Sequence, residues 1–457
     1  MLTPFWGDCT PRRGMAELAY RIDEKPQRLW EAVLYGWQHT LVDISPFVLP
    51  LAVATAVGMD AAAQAQLISY TLVAMGVATL LQTTLGNRLP IIQGPSATII
   101  GVMAPVGAQL GAAAMWGGVF VDALIETVFG ATGVLGFLRR LFPPVVSGIV
   151  VVTIGLALGQ LAIRLSIGAG TVIEIALAVA TVALVLVLQE WGSRTNRGLV
   201  ARAAVFISIW VIGIGVGGLL GRVDWGLVGA QPWIRLPTLF PFGTPLEWDY
   251  RLVAVVAIFT GYVGSMVESV GDYVATCAVA EEPFERKHVD RGIVAEGVGC
   301  LSATALGGMP CTSFTQNIGI IAATGVASRH VVRIAAVILL LYGLCPKFGA
   351  LLVAMPRSVL GGVFVLVCGL IVRSGISLLR STPRTDADGL VVGLSLVVAL
   401  GVPAYVASGL GEAWLAEAGM FARVVLTSPI VIGVIMALGL NLALNGVREP
   451  DAPTSRS

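Results

Sequence analysis

Fourteen apolar runs, separated by short polar connections, constrain this chain more than any other feature. They fall at about 36–58, 62–82, 89–104, 113–137, 143–164, 170–189, 199–220, 251–280, 290–307, 312–324, 330–352, 356–375, 386–406 and 425–446. A membrane-spanning helix needs about 20 apolar residues, and most of the runs meet that length. Charged residues make up 12% of the chain, against about 25% in soluble domains, and mean hydropathy is +0.87. A soluble globular fold is therefore excluded, and an all-α polytopic membrane protein is expected. The basic residues favour both termini on the cytoplasmic side. Of the 28 Lys and Arg residues, only Arg164, Arg222, Arg235, Arg251, Lys347, Arg357 and Arg423 would then lie outside, a bias that one missed span midway would abolish.

Residues 1–30 hold Arg12, Arg13, Arg21, Asp23, Glu24 and Lys25 and no short apolar run. They read as a cytoplasmic tail and not a cleavable signal, and 447–457 reads as a second tail. A net charge of +1 points to no nucleic-acid partner. The six cysteines form no CxxC pair and no metal-ligand spacing, so inert thiols and no metal are expected.

Two of the runs are too short to span and are broken by Pro and Gly. One is Leu89-Pro90-Ile91-Ile92-Gln93-Gly94-Pro95-Ser96-Ala97-Thr98; the other is Met309-Pro310-Cys311-Thr312-Ser313-Phe314-Thr315-Gln316-Asn317-Ile318-Gly319. A broken backbone at membrane depth survives only when buried in protein or lining a cavity, and such segments mark transporter binding sites. Each is expected to enter as a short strand and continue as a half-helix, with the two N-terminal amide sets aimed at one cavity. They are the third and tenth runs, hence third in each half of seven. Seven is odd, so the halves insert in opposite orientations, as seven-plus-seven inverted repeats. Buried polar residues concentrate in spans 1–4 and 8–11, which predicts a core domain drawn from 31–142 and 236–353. The apolar spans 5–7 and 12–14 predict a gate domain from 143–235 and 354–446.

An ionisable group at membrane depth costs about 2.5 kcal/mol or more and is a functional candidate by default. Glu268 and Asp272 in the eighth span are four apart and share one helix face. Two like charges there repel, which suits a carrier that moves protons with its substrate; a structural pair bonded to backbone is the alternative. Gln316 offers one acceptor and two donors, matching the edge of a nucleobase, or else it caps unwound backbone, as Asn317 does still more readily. Glu296 sits in a glycine-rich ninth span, where structural pairing and coupling weigh equally. His39 opens the first span and is as readily a satisfied structural histidine as a proton carrier. His288 and His330 fall at loop edges and read as solvated. Asp43, Asp122 and Glu126 also lie inside spans, without an assignable role, though Asp122 and Glu126 repeat the four-residue spacing.

These residues resemble the nucleobase–ascorbate transporters, or nucleobase:cation symporter-2 family. Its signature, Gln-Asn-x-Gly, then four residues of any kind, then Thr followed by Arg, Lys or Gly, is met by Gln316-Asn317-Ile318-Gly319 and Thr324-Gly325. Glu268-Ser269-Val270-Gly271-Asp272, Glu296 and Gln38-His39 match further motifs along the chain. The resemblance implies direct binding of a base by Glu268 and Gln316, with Asn317 and the half-helix backbone shaping the site. It also implies roles in coupling or site geometry for Asp272, Glu296 and His39. Ser96, Ala97, Phe314 and Thr315, at the two half-helix starts, complete the expected substrate-binding set. The chain departs from the family in Ala97, where an aromatic usually follows the Ser, and in Glu296, where Asp is more usual.

The expected protein is a proton-coupled symporter that imports xanthine or uric acid across the inner (plasma) membrane. It is expected to be a homodimer without a cofactor, with sodium as the alternative coupling ion. A uracil carrier of the same fold, or an anion exchanger of related seven-plus-seven architecture, are the other readings. The exchanger would want a basic group at the break, and no Lys or Arg lies between Arg291 and Arg329. An enzyme is not expected, since no nucleophile–base pair is found.

Overall fold

The computed structural model describes residues 18–446 apart from 44, 134–142, 196, 381–384, 409–410, 412–414 and 416. The expected tails therefore lie outside the described residues beyond 18 and 446. The first half comprises α1 (Leu29–Val42), α2 (Ser45–Ala56), α3 (Ala61–Thr84), β1 (Gln93–Pro95), α4 (Ala97–Leu110), α5 (Ala112–Thr132), α6 (Pro144–Ile167), α7 (Val172–Arg194) and α8 (Gly198–Ser208), the last running on as a π-helix (Ile209–Val216). After a connection containing a short helix (Trp225–Ala230), the second half begins with α9 (Leu252–Val279), α10 (Arg286–Leu306), β2 (Cys311–Ser313) and α11 (Thr315–Thr324). It continues with α12 (Arg329–Gly343), α13 (Pro346–Ala354), α14 (Arg357–Arg380), α15 (Asp386–Val406), α16 (Met420–Thr427) and α17 (Pro429–Asn445).

Among the described residues, eight helices are long and apolar enough to cross a membrane, or ten if each of two bent pairs is one span. The bends are 71° between α12 and α13, and 88° between Phe421–Thr427 and α17. Pro346 and Pro429 start the second member of each pair, positions where a proline loses no helical hydrogen bond. Length and apolarity thus reach ten of the fourteen expected spans. The runs at 89–104, 199–220, 290–307 and 312–324 hold helices that fall short by that measure: two half-helices, the α8 stretch, and α10 with its charged start. The first span contains a break the sequence did not announce, between α1 and α2 at Asp43.

The two halves are inverted repeats, visible in how their contacts exchange. Helix α3 packs on α12, and its counterpart α10 packs on α5; α4 packs on α9, and its counterpart α11 packs on α1. Three further pairs map onto themselves: α3 with α10, α6 with α14, and β1 with β2. At the centre β1 and β2 run antiparallel, Gln93 opposite Ser313, Gly94 opposite Thr312 and Pro95 opposite Cys311. Ser96 N–H donates to Pro310 O (2.9 Å) and Phe314 N–H to Ile92 O (3.0 Å), extending the pairing at both ends. Each interrupted segment so satisfies backbone groups of the other, while the outward Gln93 and Ser313 amides donate to Thr79 Oγ1 (2.9 Å) and Ser269 Oγ (3.4 Å), a requirement in a medium without water.

Helix α6 meets α14 at backbone distance. A Cβ on Gly375 would lie 2.7 Å from Val152 N and 2.9 Å from Gly148 O. Small residues permit such approach where lipid supplies no hydrophobic drive between helices. Gly375→Leu is expected to cost about 1–3 kcal/mol through overpacking, whereas Val397→Ala, on the exposed face of α15, should be close to neutral. Melting of the detergent-solubilised protein checks both.

Candidate functional site

The half-helix α11 starts where β2 ends, and a carboxylate fixes the junction. Asp272, on α9, accepts from Ser313 Oγ (2.9 Å) and Thr315 Oγ1 (2.8 Å), so its two oxygens clamp the last residue of the strand and the first of the helix. Glu268 lies one turn before Asp272 on the same face. Its side chain is half-buried, and no hydrogen-bond partner is found for it among the described residues. Gln316 follows Thr315, is exposed, and is likewise unbonded among the described residues. Gly271 and Gly319 flank the same region, and a Cβ on either would meet nothing within 4 Å. Gly271 and Gly319 are exposed, as Gln316 is, so the sides of α9 and α11 beside the Asp272 clamp are not covered by packing. Apolar side chains approach the same helices elsewhere: Val150 of α6 lies 3.7 Å from a Cβ built on Gly264, and Ile430 of α17 abuts Gly101 of α4.

The other residues expected in the binding set have different surroundings. Asn317 is buried; its Oδ1 accepts from His39 Nδ1 (2.9 Å) and its Nδ2 donates to Asp43 Oδ1 (2.6 Å). It therefore ties α11 to the end of α1, at the break that Asp43 marks. Ser96 is fully buried and caps α4 at Ile99 N–H (3.4 Å), with its hydroxyl against Thr98 Oγ1 (2.7 Å) and Ser265 Oγ (3.2 Å). Ala97 is half-buried at the first position of α4. Phe314 is 5% exposed, and its ring lies where any side chain at Gly94 would have to go. The aromatic ring at the strand crossing thus comes from the α11 side, while α4 presents Ala97.

Glu296 lies behind the hairpin. It accepts from Ser269 Oγ (2.7 Å), Tyr273 OH (3.0 Å) and Thr312 Oγ1 (3.3 Å), and Gln82 donates to the same tyrosine (2.9 Å). Its partners are hydroxyls of α9 and β2 in place of an opposite charge. One expectation is corrected: His288 is not solvated but 4% exposed, accepting from Glu285 N–H (3.1 Å) to cap α10. A histidine three residues into a helix can turn back on its cap, which pattern reading of a loop edge overlooks. Sequence reasoning named Asp43 as a polar residue inside a span without tying it to Asn317, a contact that only the fold brings together.

A family model described as a permease family (Xan_ur_permease) matches residues 30–408. The chain belongs to this permease family. It is 31% identical to the uric acid permease PucK of Bacillus subtilis, over 92% of this chain and 97% of that one. It is 30% identical to the xanthine permease XanQ of Escherichia coli, over 85% of this chain and 86% of that one. Among solved structures, the transmembrane domain of a cyanobacterial bicarbonate transporter, BicA, superposes with a TM-score of 0.58 at 18% identity, covering 91% of this chain and 99% of that one. At that identity the likeness concerns the fold alone. The permease is an integral membrane transporter.

The tie from Asn317 to α1 predicts a split between neighbours. Asn317→Ala should destabilise the permease by about 1–3 kcal/mol, because it strips Asp43 of its partner while Asp43 Oδ2 already has none among the described residues. Gln316→Ala should leave melting unchanged. Thermal unfolding in detergent checks the pair.

Proposed function

We propose that this permease imports an oxopurine, xanthine or uric acid, across the plasma membrane by proton symport. The observation that carries the reading is the pairing of Glu268 and Gln316 beside the Asp272 clamp. Neither side chain has a partner among the described residues, whereas Asp272, Ser313 and Thr315 beside them are bonded to one another. A carboxylate accepts from ring N–H groups, an amide both donates and accepts, and the amides at the half-helix start suit the exocyclic oxygens of an oxopurine. The names carried by PucK and XanQ support this class of substrate. No Lys or Arg lies between Arg291 and Arg329, which disfavours the anion-exchanger reading.

Asp272, Glu296 and His39 act on the site through the backbone they hold. Asp272 and Glu296 are joined by hydroxyls on which protons can move, and protons serve as the coupling ion with no further cofactor. Spans 1–4 and 8–11 form the core that carries substrate, moving against a gate of spans 5–7 and 12–14. The permease functions as a homodimer with both termini in the cytoplasm.

The test is uptake of labelled xanthine in cells lacking their own carriers, with unlabelled urate, uracil, hypoxanthine, guanine and adenine as competitors. Urate should compete, and a protonophore should abolish accumulation. Gln316→Ala and Glu268→Gln should each raise KM at least about tenfold, the loss of roughly one hydrogen bond to a charged or amide group. Competition by uracil alone, or variants with unchanged KM, would overturn the assignment.

A further inference from the structure

Helix α5 carries two carboxylates that the binding site does not use. Asp122 and Glu126 are four residues apart and 0% exposed, and among the described residues their carboxylates meet no hydrogen-bond partner beyond the Cys300 thiol beside Glu126. The titratable groups that face them are Glu296 and Cys300 of α10, Tyr262 and Tyr273 of α9, and Cys311 of β2. Helix α4, also packed on α5, contributes none. No member of that set is a cation. Two bare negative charges cannot be held in such a place, since an unpaired buried charge is the costliest group a fold can carry. Something positive must neutralise them. Protonation neutralises a carboxyl in place and needs no further ligand.

The site is also connected. A Cβ on Gly297 would lie 2.7 Å from Thr127 N, and one on Gly130 would lie 2.6 Å from Val294 N, so α5 and α10 touch backbone to backbone. Residues 126 and 296 adjoin the first of these contacts, and the charge of Glu296 acts on Glu126 across the interface. From Glu296 a line of hydroxyls leads forward: Ser269 Oγ at 2.7 Å, Ser313 Oγ 3.1 Å beyond it, then Asp272 Oδ2 at 2.9 Å, beside the uncovered side of α9.

We propose that Asp122 and Glu126 form a second proton-binding site behind the broken segments, filled and emptied through Glu296 and Asp272 during transport. A proton reaching Asp272 from that side passes to Ser313 as Ser313 gives its own to Ser269 and Ser269 gives its own to Glu296. Glu296 then yields a proton to Glu126. Each hydroxyl gains one proton and loses one, and the negative charge moves the opposite way, from Glu126 to Asp272. The proposal rests on the reading of the permease as proton-coupled and adds a store one helix away from the substrate.

The test uses the full-length permease in liposomes, with Asp122→Asn, Glu126→Gln and the double variant. These amides copy the protonated carboxyls in shape. Because neither residue touches the binding site, the KM for xanthine should stay within twofold in counterflow. The protons moved per xanthine should fall, and accumulation driven by a pH gradient should drop at least tenfold. Variants that keep the wild-type proton-to-xanthine ratio and accumulation would overturn the proposal and leave the pair as neutral packing groups. Infrared difference spectra of the wild type on adding xanthine cover the case of a variant that fails to assemble. A change in the protonated-carboxyl bands is expected, and its absence would equally overturn the proposal. Wild type that carries xanthine without moving protons would instead sink the proton-coupled reading, and this proposal with it.

Discussion

The backbone pairing of two three-residue strands in the middle of the membrane is the constraint on which the rest of the permease depends. Neither Gln93–Pro95 nor Cys311–Ser313 can satisfy its own amides and carbonyls, and the surrounding medium offers no water. They do so by lying against each other and, on their outer edges, against the hydroxyls of Thr79 and Ser269, which accept from the Gln93 and Ser313 amides. That requirement brings the third and tenth segments together, sets them antiparallel, and starts the two half-helices α4 and α11 from one place. The exchanged contacts of the two halves follow from it, because whatever packs on one half-helix has a counterpart on the other.

The polar residues around this hairpin sort by what they hold. Asp272 clamps the junction of β2 and α11; Glu296 holds the rear of β2 through hydroxyls; the His39–Asn317–Asp43 chain fastens α11 to the broken first span. Once these bonds are made, Glu268 and Gln316 remain without a partner among the described residues. A site is thus defined as much by which groups are already occupied as by which residue types are present. Asn317 stands beside Gln316 in sequence, yet successive helix positions point about 100° apart, and the two amides serve different ends.

Much of this was legible in the sequence. Pro and Gly in two short runs announced the strands and half-helices, and the odd number of runs in each half, seven, announced inverted halves. The four-residue spacing of Glu268 and Asp272 put both on one face. What was not legible depends on contacts across the fold. Nothing local to Asp43 shows that the first span breaks there, since the bond that holds it comes from a residue far along the chain. His288 looked solvated because its neighbours are charged, and only the cap at Glu285 reveals its burial. The placing of Phe314 over Gly94 requires the strand register, which fixes a glycine of one half against an aromatic of the other. Length and apolarity alone reach ten spans, because half-helices at a site are short and polar by their nature.

The measurement that bears most directly on this account is an experimental structure of the permease with xanthine bound. The account predicts the base between the starts of α4 and α11, with Glu268 and Gln316 both within hydrogen-bond distance of its ring edge and Asn317 still bonded to His39 and Asp43. A base bound elsewhere, or one held by Asn317 with Gln316 turned away, would contradict it.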